Sequence, residues 1–349
     1  MTVRCADMQP LARTFVIVTV DTEVSMGGAW ARADAEPLDV QTCIWCKRPD
    51  GGEHGIRAIM DMLEAHGLAG VFFVDAATHE LADGSRFRDA CQEIVGRGHD
   101  VQLHLHPAAR AYARLRRGGS VAGRPAATAD LLHAYDQQAQ LALVREGCDI
   151  LAGICGRRPV AFRAGNYAVS RASLAALGQA GMLLDFSYNL SCPPGQCRLA
   201  EAAVINAPRR FGAITEIPVT QLIGNRLPWR GYRPFEINAL GGRELCWALG
   251  RIRAGRQRAA SIVCHSFSML KHRKNRWSQA RPDHTVAGRF LRLAKFLSER
   301  RGEFKTATVT ECIAIPGWLE WVAHGPEVWP RTMFTLLAGR YLGQASSYL

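Results

Sequence analysis

Short apolar runs recur along this chain, each followed by a stretch with apolar residues at helical spacing, and this alternation limits the possible folds more than any other feature. Strand-like runs cover Phe15–Asp21, Gly70–Val74, Asp100–His106, Val160–Arg163, Leu183–Phe186, Thr215–Thr220, Ser261–His265 and Lys305–Thr310. Helical patterns cover Ile56–His66, Arg86–Gly96, Ala129–Ile154 and Ser170–Ala180. Such repetition implies parallel strands joined by crossover helices. With about seven of these units, an α/β chain is expected to curl into a distorted (β/α) barrel, with its chemistry at the carboxyl ends of the strands.

The composition is that of a soluble chain with a real core: 48% of the 349 residues are hydrophobic and 21% charged. A net charge of +12 favours polyanions such as acidic glycans, nucleic acid or anionic headgroups. A nucleic-acid function is not expected, because no binding motif or aromatic–basic platform accompanies the charge. The opening segment, MTVRCADMQPLARTF, lacks the apolar stretch of a secretory signal, and no run is long enough to span a bilayer. The expected location is therefore cytoplasmic, with peripheral contact at the inner membrane face as the membrane role left open. Eleven cysteines without a regular framework fit reduced thiols. Cys43 with Cys46 and Cys192 with Cys197 form close pairs, but they lie far apart and are unlike a compact four-thiolate zinc site.

The strand ends carry the polar residues. Asp21 and Glu23 close the first strand, two apart and so on one face. His104 and His106 close the third with the same spacing, and neutral imidazoles are common metal ligands. Arg163 (FRAGNY), Asp185 (DFSY) and His265 (IVCHSF) end further strands. Any one of them could be a structural ion pair or a core histidine. Gathered at successive strand ends, they make a poor core and a good site.

The order of these motifs resembles the polysaccharide deacetylase family, the NodB-homology or carbohydrate esterase 4-like group. TVDTE is similar to its acidic first motif, GHDVQLHLHP to its histidine motif, FRAGNY to its Arg-x-x-Tyr motif, DFSY to its Asp-x-Ser-aromatic motif, and IVCHSF to its final histidine motif. The resemblance covers residues 12–312, taken as a catalytic domain, and leaves 313–349 as a carboxyl-terminal extension. It implies a metal-dependent N-deacetylase, acting on the N-acyl amide of an amino sugar. Asp21 would be the general base, Arg163 its orienting partner, and Tyr167 a backbone donor to the oxyanion. Asp185 would pair with His265, the general acid. Glu23, His104 and His106 would hold a divalent metal, zinc being the expected ion. Two histidines and one carboxylate leave a coordination position open, as catalytic zinc requires.

Three features depart from the family pattern. Its two histidines usually lie four residues apart, whereas Ala108 stands there and His106 is taken as the second ligand. Glu23 replaces the more usual Asp, which leaves open that Asp21 is itself the ligand. Gly165-Asn166 replaces the proline common before the tyrosine, so the oxyanion loop is expected to be shaped differently. Asn166 and Tyr188 are expected substrate contacts, and His54 a reserve ligand or substrate contact. Lys271, in the basic run KHRKNRW, could hold a phosphate. The substrate class is a sugar nucleotide, a lipid-linked sugar or an oligosaccharide. The extension holds Trp318, Trp321, Trp329, Phe334, Tyr341 and Tyr348, expected to pack on the barrel or meet a partner or membrane surface. The rival reading is a non-catalytic glycan-binding chain of the same fold.

Overall fold

The protein is described here from a computed structural model, which covers residues 12–27, 29, 36–116, 127–225, 230–272 and 277–332. Its strands are, in chain order, β1 (Thr14–Thr22), β2 (Val71–Asp75), β3 (Asp100–Leu105), β4 (Ala161–Ala164), β5 (Leu184–Asp185), β6 (Arg209–Phe211), β7 (Ile214–Glu216), β8 (Gln221–Asn225), β9 (Arg230–Pro234), β10 (Ala259–His265), β11 (Leu270–Lys271), β12 (Arg281–Pro282) and β13 (Phe304–Thr306). The main sheet has nine strands in the order β10-β1-β2-β3-β4-β5-β7-β6, with β13 paired to β1. From β10 to β7 all neighbours are parallel. The sheet curls, and the gap between β7 and β10 is spanned by extended chain: Val219 bridges to Ser261 and Glu236 to Val263. The expected distorted α/β barrel is what forms.

The reason lies in two-sided burial. β1 reads TFVIVTVDT and is buried at every position, as a β-branched strand covered on both faces should be. Along β1, Val16, Val18 and Val20 face a layer of helices, while Phe15 and Ile17 turn into the barrel. The helix Ile56–Glu64 buries Ile56, Ile59, Met60 and Leu63, one face of a 3.6-residue period. The helix Gln137–Cys155 starts later than the pattern Ala129–Ile154 suggests, because Asp136 caps it, accepting from the Ala139 amide at 2.8 Å. The last strand-like run stops at Thr306 because Thr308 caps the helix Val309–Ile313, with Glu311 completing the capping box. No helix among the described residues is long and apolar enough to cross a membrane.

The amino-terminal end of the barrel is plugged from outside the expected catalytic span. Trp318 is fully buried with Phe15, Phe73, Phe186, Val309 and Val322, its ring 5.6 Å from that of Phe15. Trp329 lies 5.5 Å from Tyr232. Phe334, Tyr341 and Tyr348, like residues 273–276 of the basic run, lie outside the described residues.

Candidate active site

Register brings the strand ends level. Asp21 stands opposite His265 on β10, Asp75 opposite His104, and His104 opposite Arg163. Glu23 and His106 lie just past their strands and keep the inward phase of Asp21 and His104.

The Nε2 atoms of His104 and His106 converge on Glu23 Oε2, at 3.1 and 2.7 Å. Donor atoms of all three residues lie within 4.8 Å of one another, the one such group among the described residues. Neither close cysteine pair joins it. Each ring is fixed from behind. His104 Nδ1 meets the Arg163 carbonyl at 2.8 Å, and a carbonyl only accepts, so that nitrogen carries hydrogen. His106 Nδ1 meets Asp130 Oδ2 at 2.7 Å. Both rings therefore turn Nε2 toward Glu23, and outer acceptors of this kind orient metal-binding imidazoles. The donor set fits a divalent cation. Burial works against charging Glu23, but His106 and His104 outweigh it and hold the carboxyl well below its usual range. Burial likewise pulls His106 down, yet Asp130 and Glu23 hold it well above the ordinary histidine value. A cation entering here releases protons.

Beside the cluster, Asp21 is 3% exposed and ion-paired to the fully buried Arg163. Arg163 is fixed by Nε donating to the Phe186 carbonyl at 3.1 Å and by the Phe73 ring, 4.5 Å from the guanidinium carbon. His265 Nε2 lies 4.0 Å from Asp21 Oδ2, and its ring is a quarter exposed. A cavity of about 280 Å³ opens from the cluster, lined by Glu23, Met26, Asp75, His106, Asn166 and Phe267 among others.

The family departures have local causes. Glu23 reaches both imidazoles with one carboxylate oxygen, although the histidines are two apart. Asn166 has φ 54° and Tyr167 φ 56°; proline, locked near −65°, cannot occupy the first. A Cβ on Gly165 would lie 2.5 Å from the His106 ring, so only glycine leaves that ring its place. The Asn166 amide donates to Asp130 Oδ2 at 2.8 Å, tying this loop to the ligand shell. Tyr167 is pushed well above the usual phenol range, by burial and then by Asp21.

Several expectations need correction. Asp185 does not face His265: Leu184 and Phe186 pack inside the barrel, so alternation turns Asp185 to the opposite side. There it accepts from Ser187 Oγ at 2.6 Å and stands in register with Glu216. Burial and the charge of Asp185 push Glu216 well above its ordinary range. Tyr188 is fully buried, its hydroxyl donating to the Ala203 carbonyl at 2.6 Å and accepting from the Ile205 amide at 3.0 Å, which makes it a packing residue. His54 and Lys271 are not among the residues lining the cavity. Two carboxylates were missed. Asp75 ends β2, is 1% exposed and accepts from the His106 amide at 3.2 Å. It was visible as one more strand-end acid. Asp130 sits in a 3-10 turn, Ala127–Asp130, which no periodicity marks.

Fold and donor set together define an α/β barrel with a two-histidine, one-carboxylate cluster at its mouth. No family model matches the chain. No curated protein matches it either. Among solved structures it is similar in fold to a 4-alpha-glucanotransferase from Thermococcus litoralis, at 11% identity and a TM-score of 0.50, over 86% of this chain and 40% of that one. A family 4 carbohydrate esterase from Streptomyces lividans in complex with acetate aligns over 91% of this chain and 98% of its own, at 11% identity and a TM-score of 0.44. A peptidoglycan deacetylase from Bacillus subtilis aligns over 88% and 94%, at 12% identity and a TM-score of 0.42.

Proposed function

We propose that the chain is a metal-dependent N-deacetylase acting on an amino sugar, with Glu23, His104 and His106 holding a divalent cation, zinc being the ion best suited to two imidazoles and a carboxylate. The observation that carries this reading is the paired orientation of the two imidazoles: each commits Nδ1 to a protein acceptor and presents Nε2 to Glu23. When bound, the cation supplies water activation and carbonyl polarisation. Asp21, held by Arg163 beside the cluster, takes the proton from the attacking water. His265, on the far side of Asp21 and partly open to solvent, delivers a proton to the departing amine. Arg163 keeps Asp21 aimed. The cavity beside His106, with Phe267 and Met26 as apolar walls, receives the sugar ring.

The test is acetate release from N-acetylglucosamine oligomers by the metal-loaded protein. Asp21→Asn and His265→Ala should each lower kcat by at least about a hundredfold, the scale of a general acid or base, while leaving the circular dichroism spectrum and metal content unchanged. Wild-type rates in either variant would remove these residues from the reaction. Metal binding without acetate release from any N-acetylhexosamine would favour the glycan-binding alternative.

A further inference from the structure

We propose that the end of the barrel opposite Glu23 carries a binding site for a phosphate-bearing molecule, built from Arg13, Arg253, Arg256 and Arg258 around Trp321. These residues line a cavity of about 450 Å³, and no Asp or Glu is among its lining. β1 runs from this cavity to the metal cluster. Its 9 residues, at about 3.3 Å each, put the two sites some 25–30 Å apart, too far to share one small ligand.

Four arginines from two stretches of the chain, Arg13 from one and Arg253, Arg256 and Arg258 from the other, line the cavity. Arg13 precedes β1, Arg253 belongs to the last turn of the helix Gly242–Ala254, Arg256 follows that helix, and Arg258 precedes β10. Helix-end carbonyls attract cations, which explains Arg253. They do not explain why Arg13, from the other stretch, joins it. The partners the group does have are neutral. Arg13 donates to the Arg301 carbonyl at 3.2 Å, and Arg258 donates to the Trp321 carbonyl with its guanidinium 4.9 Å from the Trp321 ring centroid. Arg253 and Arg256 form no carboxylate pair among the described residues. Glu327, next to the lining residue Pro326, turns instead to the Asn206 and Ala207 amides. Arg256, at φ 60°, is the left-handed residue that closes the helix: its amide donates to the Arg253 carbonyl at 3.0 Å and the Gln257 amide to the Ile252 carbonyl at 3.1 Å. Like charge left without a carboxylate around a cavity is what an anionic ligand would neutralise. Planar guanidiniums match phosphate oxygens two at a time, and the stacked Arg258–Trp321 pair offers a flat wall for an attached group.

Two sources present this chemistry: a free phosphorylated metabolite or the headgroup of an anionic lipid. The probes are inorganic pyrophosphate, titrated by calorimetry into the full chain with chelator present, and sedimentation with phosphatidylcholine vesicles with and without phosphatidylglycerol. The variant is R253Q with R256N, asparagine being tolerant of the left-handed backbone. The control is R88Q with R145Q, two exposed arginines elsewhere that remove the same net charge. Saturable pyrophosphate binding, weakened at least about tenfold in the variant and unchanged in the control, supports a free phosphate ligand. Binding only to phosphatidylglycerol vesicles, with the same dependence on the variant, supports a headgroup. Absence of saturable binding to both probes overturns the site, as does equal binding by the variant or equal weakening in the control.

Discussion

Asp130 links three parts of the ligand shell. One carboxylate oxygen takes the His106 Nδ1 and the Asn166 amide, and the other takes the Ala108 amide at 3.2 Å. Removing it frees the His106 ring to rotate without touching a donor atom to the metal. Asp130→Ala should therefore weaken zinc affinity by about 10–100-fold, as loss of an outer-shell acceptor does, measured by competition with a chromophoric chelator. Unchanged affinity would mean that His106 needs no such support. Glu216 offers a separate test through pH. Its folded pKa is raised, so its contribution to stability is complete below the unfolded value, near about 4.3, and is lost as pH rises through the folded value. Gln mimics the protonated acid and can keep the acceptor for the Tyr188 amide, 3.0 Å away. Glu216→Gln should be more stable than wild type at pH 8, by about 1–3 kcal/mol from denaturant midpoints, with the gap closing toward pH 4–5. A variant less stable at pH 8 would show that Glu216 is ionised in the fold.

Elements explain what the sequence disclosed and what it hid. β1 and β3 are long enough for their period-two phase to be unmistakable, so Asp21, Glu23, His104 and His106 were readable as inward-facing groups at strand ends. β5 has only 2 residues, and so short a strand gives no phase of its own. Asp185 was therefore placed on the wrong side, and the pairing expected with His265 fell to Asp21. Tyr188 was misjudged for a related reason: the chain after β5 dives under Ala203 and Ile205, a long-range packing event with no local sign. Asp130 hid because its turn has no periodicity, and its partner His106 lies 24 positions away. The extension beyond 312 was expected to pack on the barrel or meet a partner or membrane surface, and Trp318 and Trp321 pack against Phe15, their rings 5.6 and 5.9 Å away. Trp318 is fully buried there, and Trp318→Ala should lower unfolding free energy by about 3–5 kcal/mol in urea titrations. A loss below about 1 kcal/mol would place Trp318 outside the cooperative core.

At the scale of the whole molecule, the barrel separates its tasks by end. Parallel strands deliver Asp21, Asp75, His104, Arg163 and His265 to one mouth, while Phe15 and Trp318 seal the other. Stability and chemistry can then vary independently, which is why chains of this architecture can share a shape while their sequences drift far apart. Everything proposed for the mouth rests on a cation held jointly by Glu23, His104 and His106. The most direct measurement is the metal content of this purified chain by elemental analysis, wild type beside His104→Ala, each dialysed against trace zinc and checked for folding by circular dichroism. About one zinc per chain in the wild type and a small fraction of that in a folded His104→Ala is the expected result, because losing one of three protein ligands dismantles the site. Equal metal in both proteins, or none in a folded wild type, would contradict it.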